Sequence, residues 1–183
     1  MTHTLSDNIK CLDGVDYDVV KNNVHFEWVS GFEDTIKQLA SDVFDTIGVK
    51  VGDQLNVVLK GFDEFQVNLE KKMDVLVEKV NIIAGSNEAA KTFVAEWAEA
   101  VKYQVQSKYH YAGDGPTAQG LRWGYQSSIK YIIICGTTLA DKGGDDVEFK
   151  KQISDYIKTV IIQSLIDSLE NVKNELETLK TSS

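Results

Sequence analysis

The side chains best suited to ligand binding are concentrated in residues 102–130. This segment holds Arg122, the only arginine of the chain, directly before Trp123, and tyrosines lie on either side. Arginine, tryptophan and tyrosine are favoured at binding surfaces because each combines a large flat group with a polar end. Such groups can stack on a sugar, a nucleobase or a lipid headgroup. We predict a candidate ligand-binding site made of Lys108, Tyr109, Tyr111, Arg122, Trp123 and Tyr125.

The charge of the same segment also suits a binding role. Four basic residues and one acidic residue lie between positions 102 and 130, whereas the whole chain has a formal net charge of -9. A purely structural interpretation is also open. In that case the aromatic side chains pack beneath a long loop, and an acidic neighbour neutralises Arg122.

Catalytic and metal-binding signatures are missing from the sequence. His3, His25 and His110 are scattered, and no HExxH, GxSxG, GxGxxG or GxxxxGK[ST] motif occurs. A calcium loop starting at Asp16 fails because Val20 occupies a ligand position and Lys21 the position that needs glycine. We therefore predict no enzymatic activity, no metal and no cofactor.

The two cysteines, Cys11 and Cys135, are far apart and form no CxxC motif. Two buried free thiols are the simpler expectation. A disulfide would require the two Cα atoms to lie within about 7 Å, and the sequence leaves this pairing open.

Apolar residues at steps of three and four predict long amphipathic helices from residue 32 onward. One stripe runs from Phe32 to Ile47, a second from Val51 to Ile83, and a third covers residues 88–108. A last stripe runs from Phe149 to Leu179, with Asp145 as the predicted N-cap and Glu148 in capping-box position. Gly85 is predicted to end the second helix in a left-handed conformation.

Two segments are less clear. Residues 118–140 fit a helix, although the β-branched run Tyr131–Cys135 also suits a buried strand, and helix is favoured because strand partners are scarce. Residues 24–29 alternate apolar and polar side chains, as a short strand does. The predicted fold is mainly α: an elongated antiparallel bundle of about five helices (residues 31–183) with an extended or strand-like N-terminal arm (residues 1–30).

Three functions are compatible with this architecture. Matched helical stripes without catalytic motifs favour a bundle that acts by self-association or by binding another protein. A membrane-active protein, pore-forming or lipid-binding, is an alternative, but surface-bound helices usually carry basic polar faces, and these are acidic. The third is a small-ligand carrier that uses the aromatic and arginine site.

Composition limits the partners and the compartment. The net charge of -9 argues against nucleic acid. No secretory signal or stretch of apolar residues long enough to span a membrane is visible, so a cytoplasmic location is the default expectation, and a mature secreted chain remains open.

Overall fold

A computed structural model describes residues 26–46, 53–106 and 118–181. Two π-helical stretches extend the helices: Asp42–Thr46 follows the first, and Ile157–Ile162 joins the last two into one continuous helix. With that joined pair counted once, the described residues form five helices and no strand, so the mainly α class is confirmed. The α-helices are α1 (Val29–Ser41), α2 (Asp53–Ile83), α3 (Glu88–Gln106), α4 (Ala118–Asp141), α5 (Val147–Tyr156) and α6 (Gln163–Thr181).

The start of the helical region differs from the prediction. Residues 1–25, most of the predicted arm, lie outside the described residues. The strand predicted over residues 24–29 is not formed in its described part, because a turn begins at Phe26 and α1 begins at Val29. The helical spacing of buried residues begins before residue 32, where it was predicted to start. The buried residues recur at steps of three and four: Phe26, Val29, Glu33 and Ile36.

Helix α2 has 31 residues and lies against both α3 and α6. Its buried face follows the predicted stripe. Gly61 lies within this helix, where a Cβ atom would overlap the side chain of Val172 on α6. The glycine therefore permits a close approach of the two helices. The buried residues of this face are Val58, Phe62, Phe65, Gln66, Leu69, Met73, Leu76 and Val80.

The turn between α2 and α3 is linked to the turn between α4 and α5. Gly85 has the predicted left-handed conformation, with φ of 57°. The Asn87 side chain accepts a hydrogen bond from the Ala90 N–H at 3.1 Å, which caps α3. Its amide nitrogen also donates to the Lys142 carbonyl oxygen at 2.8 Å. Asn87 thus fixes the two turns against each other.

The N-cap of α5 is Asp146, one residue later than predicted. Its side chain accepts a hydrogen bond from the Phe149 N–H at 3.0 Å. Asp146 has an extended backbone, with ψ of 92°, which is the geometry an N-cap requires. The predicted cap, Asp145, belongs to the preceding turn, so Glu148 does not occupy the capping-box position.

Helix α4 confirms the helical interpretation of residues 118–140. Every residue from Tyr131 to Thr137 is buried, so the run that resembled a strand belongs to a helix covered on several sides. Cys135 has no exposed surface and is disulfide-bonded, which makes the expectation of a free thiol wrong at this position. Cys11, the one other cysteine in the sequence, lies outside the described residues.

Candidate functional site

Arg122, the centre of the predicted ligand site, forms an ion pair with Asp45. Its guanidinium donates from Nη1 to Oδ1 at 2.5 Å and from Nη2 to Oδ2 at 3.0 Å, a two-point contact. The hydrogen bond from Arg122 lowers the pKa of Asp45 below its usual value. The arginine therefore connects α4 to the π-helical stretch that follows α1.

Asp42, in the same π-helical stretch, makes a second link of this kind. Its carboxylate accepts hydrogen bonds from Gln38 at 2.9 Å and from Lys173 of α6 at 3.2 Å. These two hydrogen bonds, that of Gln38 first, lower the pKa of Asp42. Asp45 thus holds the stretch Asp42–Thr46 to α4, and Asp42 holds it to α6.

Tyr125 lies in the core and has no exposed surface. Its ring makes an edge contact with Phe62, with centroids 4.9 Å apart and planes at 74°, and also lies near Phe65. Burial raises the pKa of the Tyr125 hydroxyl, an effect that the nearby Ser168 hydroxyl offsets in part. The described surroundings of Tyr125 are those of a packing residue.

The other members of the predicted site are only partly placed. Trp123 belongs to α4 by its backbone. Lys108, Tyr109 and Tyr111 lie outside the described residues. The aromatic and arginine site therefore stays a prediction, of which the structure describes Arg122 in an ion pair and Tyr125 in the core.

A different surface, on the C-terminal half of α2, exposes large apolar side chains. Val75 is 52% exposed and Ile82 is 80% exposed, although both belong to an ordered helix. Glu78 and Lys79 lie between them at positions i+3 and i+4, so the four residues share one side of the helix. We call this set, Val75, Glu78, Lys79 and Ile82, the α2 face.

The α2 face forms one wall of a groove of about 400 Å³, which Ile83 and Tyr156 complete. The Tyr156 hydroxyl donates a hydrogen bond to the Lys72 carbonyl oxygen at 2.7 Å. Burial raises the pKa of Tyr156 to about 12, so the hydroxyl remains a donor at neutral pH. This hydrogen bond holds the tyrosine wall against α2, and the groove is preformed.

The charges of the α2 face have no partners in the described part of the chain. Glu78 and Lys79 form no ion pair there. Asp74, one turn earlier, is by contrast paired with Lys102 of α3 at 3.2 Å. The α2 face therefore offers one carboxylate and one ammonium group between two apolar side chains.

This surface was not predicted, although the sequence contains a signal for it. The buried stripe of α2 includes Met73, Leu76 and Val80, and it accounts for one side of the helix. Val75 and Ile82 fall off that stripe and lie seven residues apart, which places them together on a second side. An apolar pair off the main stripe is the pattern that indicates a second contact surface.

Comparison with known proteins gives no relative from which a function could be transferred. No family model, no curated protein and no solved structure matches the chain. In the described ranges, no helix carries an apolar stretch of the length needed to cross a bilayer. The same residues contain no group of three or more histidine, cysteine or acidic side chains placed to hold a metal ion.

Proposed function

We propose that this chain is an elongated antiparallel helical bundle, not an enzyme, that acts through self-association or by binding another protein. The observation that carries this proposal is the α2 face, with Val75 and Ile82 exposed beside a preformed groove. Helix α2 already buries one apolar side in the core, and a second apolar side that stays exposed does not stabilise the monomer.

The lengths of the helices support the bundle arrangement. Helix α2, with 31 residues, is about 46 Å long at about 1.5 Å per residue. The continuous helix formed by α5, Ile157–Ile162 and α6 is of similar length, and α6 lies against α2. The short turn at Gly85 brings α3 back along α2, as in an antiparallel helical hairpin.

The apolar content of the α2 face supports a protein partner. Full burial of an isoleucine or valine side chain contributes about 1.5–3 kcal/mol. A partner that covers Val75 and Ile82 would bury part of this apolar surface, and a corresponding part of that free energy would stabilise the complex. Glu78 and Lys79 would set the orientation of the partner. Aliphatic side chains flanked by charges are typical of helix pairing, in which the apolar residues give affinity and the charges give specificity.

The test is a double substitution on the α2 face with a matched control. Val75→Glu with Ile82→Glu should abolish oligomers at concentrations where the unchanged protein forms them, because each chain would then place two carboxylates in the apolar part of the contact. Light scattering after size exclusion, from about 1 µM to about 1 mM, measures the assembly. The control is Val147→Glu, since Val147 is 65% exposed in the first turn of α5, away from the groove.

A protein that is monomeric throughout this range, and that retains no other protein on an affinity column, contradicts the proposal. Leakage of vesicles at neutral or acidic pH that depends on Val75 and Ile82 would favour the membrane-active alternative instead. Loss of assembly in the Val147→Glu control would show that the α2 face is not the contact.

For the compartment, we propose an oxidising one, which selects the secreted possibility over the cytoplasmic default. The support is the disulfide at Cys135, a residue with no exposed surface. Structural disulfides form and persist in secreted and extracytoplasmic proteins and are rare where thiol reductants are abundant. Fractionation of native cells, with and without thiol-blocking reagents during lysis, tests this.

A further inference from the structure

Helix α2 exposes a third large apolar side chain on the side that carries Val75 and Ile82. Val67 is 43% exposed and lies eight residues before Val75. At about 100° per residue, the three side chains fall within about 80° of one another, on the side of the helix opposite its buried residues. Among the described residues, they are three of the four large apolar side chains that are exposed. The exposed apolar surface of α2 therefore extends over about four helical turns.

Two opposite charges lie between these apolar side chains. Lys71 follows Val67 by four residues, Glu78 precedes Ile82 by four, and both charged side chains are exposed. They are seven residues apart, which places them about 20° apart around the helix and about 10 Å apart along it. Neither forms an ion pair with any described residue. We call this set, Val67, Lys71, Val75, Glu78 and Ile82, the outer stripe.

The outer stripe is complementary to itself when two copies of α2 run in opposite directions. A two-fold axis midway between residues 74 and 75 places Lys71 level with Glu78 of the second copy. The same axis places Val67 level with Ile82 of the second copy, and the two Val75 side chains meet beside it. An antiparallel two-fold brings the same edge of both helices together. Opposite charges therefore pair across it only if they lie on one line along the helix, as Lys71 and Glu78 do.

We propose that the outer stripe binds the outer stripe of a second copy of this chain, antiparallel, about a two-fold axis beside Val75. This inference rests on the proposed function and specifies its partner and its geometry. Apolar contacts at the axis and towards each end enclose two equivalent ion pairs of Lys71 with Glu78 of the second copy. The charges fix the register, because a shift that places Lys71 level with Ile82 of the second copy leaves Glu78 against Val75.

The charges also select the antiparallel over the parallel arrangement. In a parallel pair in register, Lys71 would face Lys71 and Glu78 would face Glu78, since both lie near the middle of the stripe. In the antiparallel pair both contacts are attractive. Asp74, which lies near the axis at one edge of the contact, is already paired with Lys102 of α3 at 3.2 Å. Its charge is therefore offset within its own chain.

The size of the contact sets the expected affinity. One pair of helices about four turns long buries less than a standard stable interface of about 1,600 Å², so we expect a dissociation constant on the order of 10 µM. A dimer of this strength is sensitive to a change of charge at its centre, and it is measurable in the concentration range that tests the proposed function.

Charge reversal tests the register. Lys71→Glu alone converts both inter-chain ion pairs into glutamate pairs, and Glu78→Lys alone converts both into lysine pairs. Each single variant should therefore raise the dimer dissociation constant roughly tenfold. The double variant Lys71→Glu with Glu78→Lys should return it to within about threefold of the unchanged protein, since both pairs become attractive again. Sedimentation equilibrium measures all three.

The matched control is Lys37→Glu, which makes the same change of net charge on an exposed residue of α1. Helix α1 lies against α4 and α6, so the dissociation constant should stay within about threefold of that of the unchanged protein. Lys71 and Glu78 are also exposed, so the fold should survive their substitution. Circular dichroism at a concentration where the protein is monomeric verifies this.

A mixture of the two single variants provides an independent check. The chain with two glutamates at positions 71 and 78 and the chain with two lysines at these positions should form a heterodimer, although each associates poorly alone. Native mass spectrometry resolves the mixed species when one chain is isotopically labelled. Only homodimers in the mixture, or no dimers, would contradict the antiparallel register.

The outcomes separate this inference from the proposal on which it rests. Dimers that are weakened by Val75→Glu with Ile82→Glu but unchanged by both charge reversals overturn the antiparallel register and leave self-association standing. A double charge variant that is not restored, or a Lys37→Glu control that is weakened as much as Lys71→Glu, likewise overturns it. A chain that is monomeric to about 1 mM but retains another protein on an affinity column overturns this inference alone. A monomeric chain that retains none overturns both.

Discussion

At the residue scale, Asp42 and Asp45 show how a short π-helical stretch is held in place. They lie three residues apart, and each carboxylate meets a cation from a different helix: Lys173 of α6 and Arg122 of α4. Both carboxyl groups have pKa values below the ordinary one, chiefly because of hydrogen bonds to their charged forms. These links make the end of α1 sensitive to acid.

The sign of this sensitivity follows from the lowered pKa of Asp45. A carboxyl whose folded-state pKa lies below its unfolded value of 3.8 stabilises the fold fully above that value, and the contribution is lost as the pH falls through the folded pKa. Asp45→Asn should therefore lower the melting temperature near neutral pH. In acid, the melting temperatures of the variant and of the unchanged protein should become similar. Thermal unfolding followed by circular dichroism across the acid range measures this.

The matched control is Asp34→Asn, an exposed carboxylate of α1 that makes no ion pair with any described residue. Because Asp34 makes no such contact, its substitution should change the melting temperature near neutral pH much less than Asp45→Asn does. If the difference in melting temperature between Asp45→Asn and the unchanged protein grew in acid, the stabilising role assigned to the ion pair of Asp45 with Arg122 would be wrong.

The residue types of the candidate site could be read from the sequence, but their partners could not. An arginine in an acidic chain was expected either to bind a ligand or to meet a carboxylate. The two-point contact with Asp45 depends on where α1 ends and α4 begins. Tyr125 was predicted to belong to the ligand site. Its burial against Phe62 follows from α2 and α4 lying side by side, which is a tertiary property.

At the scale of the elements, helical spacing predicted α2, α4 and the long C-terminal helix with nearly the observed bounds. Proline is absent from all three, and the buried positions of α2 and of the C-terminal helix recur mainly at steps of three and four. The two π-helical stretches were not predictable, because one extra residue in a turn changes the spacing less than ordinary irregularity does. The N-cap at Asp146 was missed because two aspartates are adjacent there.

Two glycines in helices provide an element-scale prediction. Gly61 faces Val172, which is 2% exposed, whereas Gly31 of α1 has no atom within 4 Å of where a Cβ would lie. Gly31→Ala should raise the free energy of unfolding by about 0.5–1 kcal/mol through helix propensity alone. Gly61→Ala gains the same propensity but forces α2 and α6 apart, which costs about 1–3 kcal/mol. The two changes should therefore have opposite signs.

Urea denaturation at a concentration where the protein is monomeric measures both free energies. The double variant Gly61→Ala with Val172→Ala removes the valine methyl groups that would overlap the new Cβ atom. Its free energy of unfolding should therefore be higher than the sum of the two single changes predicts. Equal stabilisation by alanine at positions 31 and 61 would show that α2 and α6 do not approach closely at Gly61.

At the scale of the whole molecule, the described helices share one apolar core. Helix α4 contributes its most continuously buried segment, since residues 131–137 are covered by neighbouring helices. Composition and helical periodicity were sufficient to predict a mainly α protein. They could not show which apolar side chains remain outside the core, because Val75 and Ile82 resemble core residues until the packing of α2 is known.

The disulfide at Cys135 belongs to this largest scale, because it fixes α4 at a fully buried position. A disulfide that closes a long stretch of chain contributes about 2–4 kcal/mol to the free energy of unfolding, mainly by restricting the unfolded state. Refolding in the presence of a thiol reductant should therefore give a protein that unfolds at lower temperature and at lower urea than the oxidised form. Prior unfolding is needed because the bond is shielded from the reductant.

Cys135→Ala separates this effect from other actions of the reductant. Its melting temperature should lie near that of the reduced protein, apart from the small change in core volume, and added reductant should not lower it further. Digestion without reduction should release the Cys135 peptide joined to the peptide that contains Cys11, the only other cysteine of the chain. A Cys135 peptide joined to its own copy from a second chain would instead place the bond between protomers. Equal stability of the oxidised and reduced forms would show that the bond adds nothing to what the core of α4 already provides.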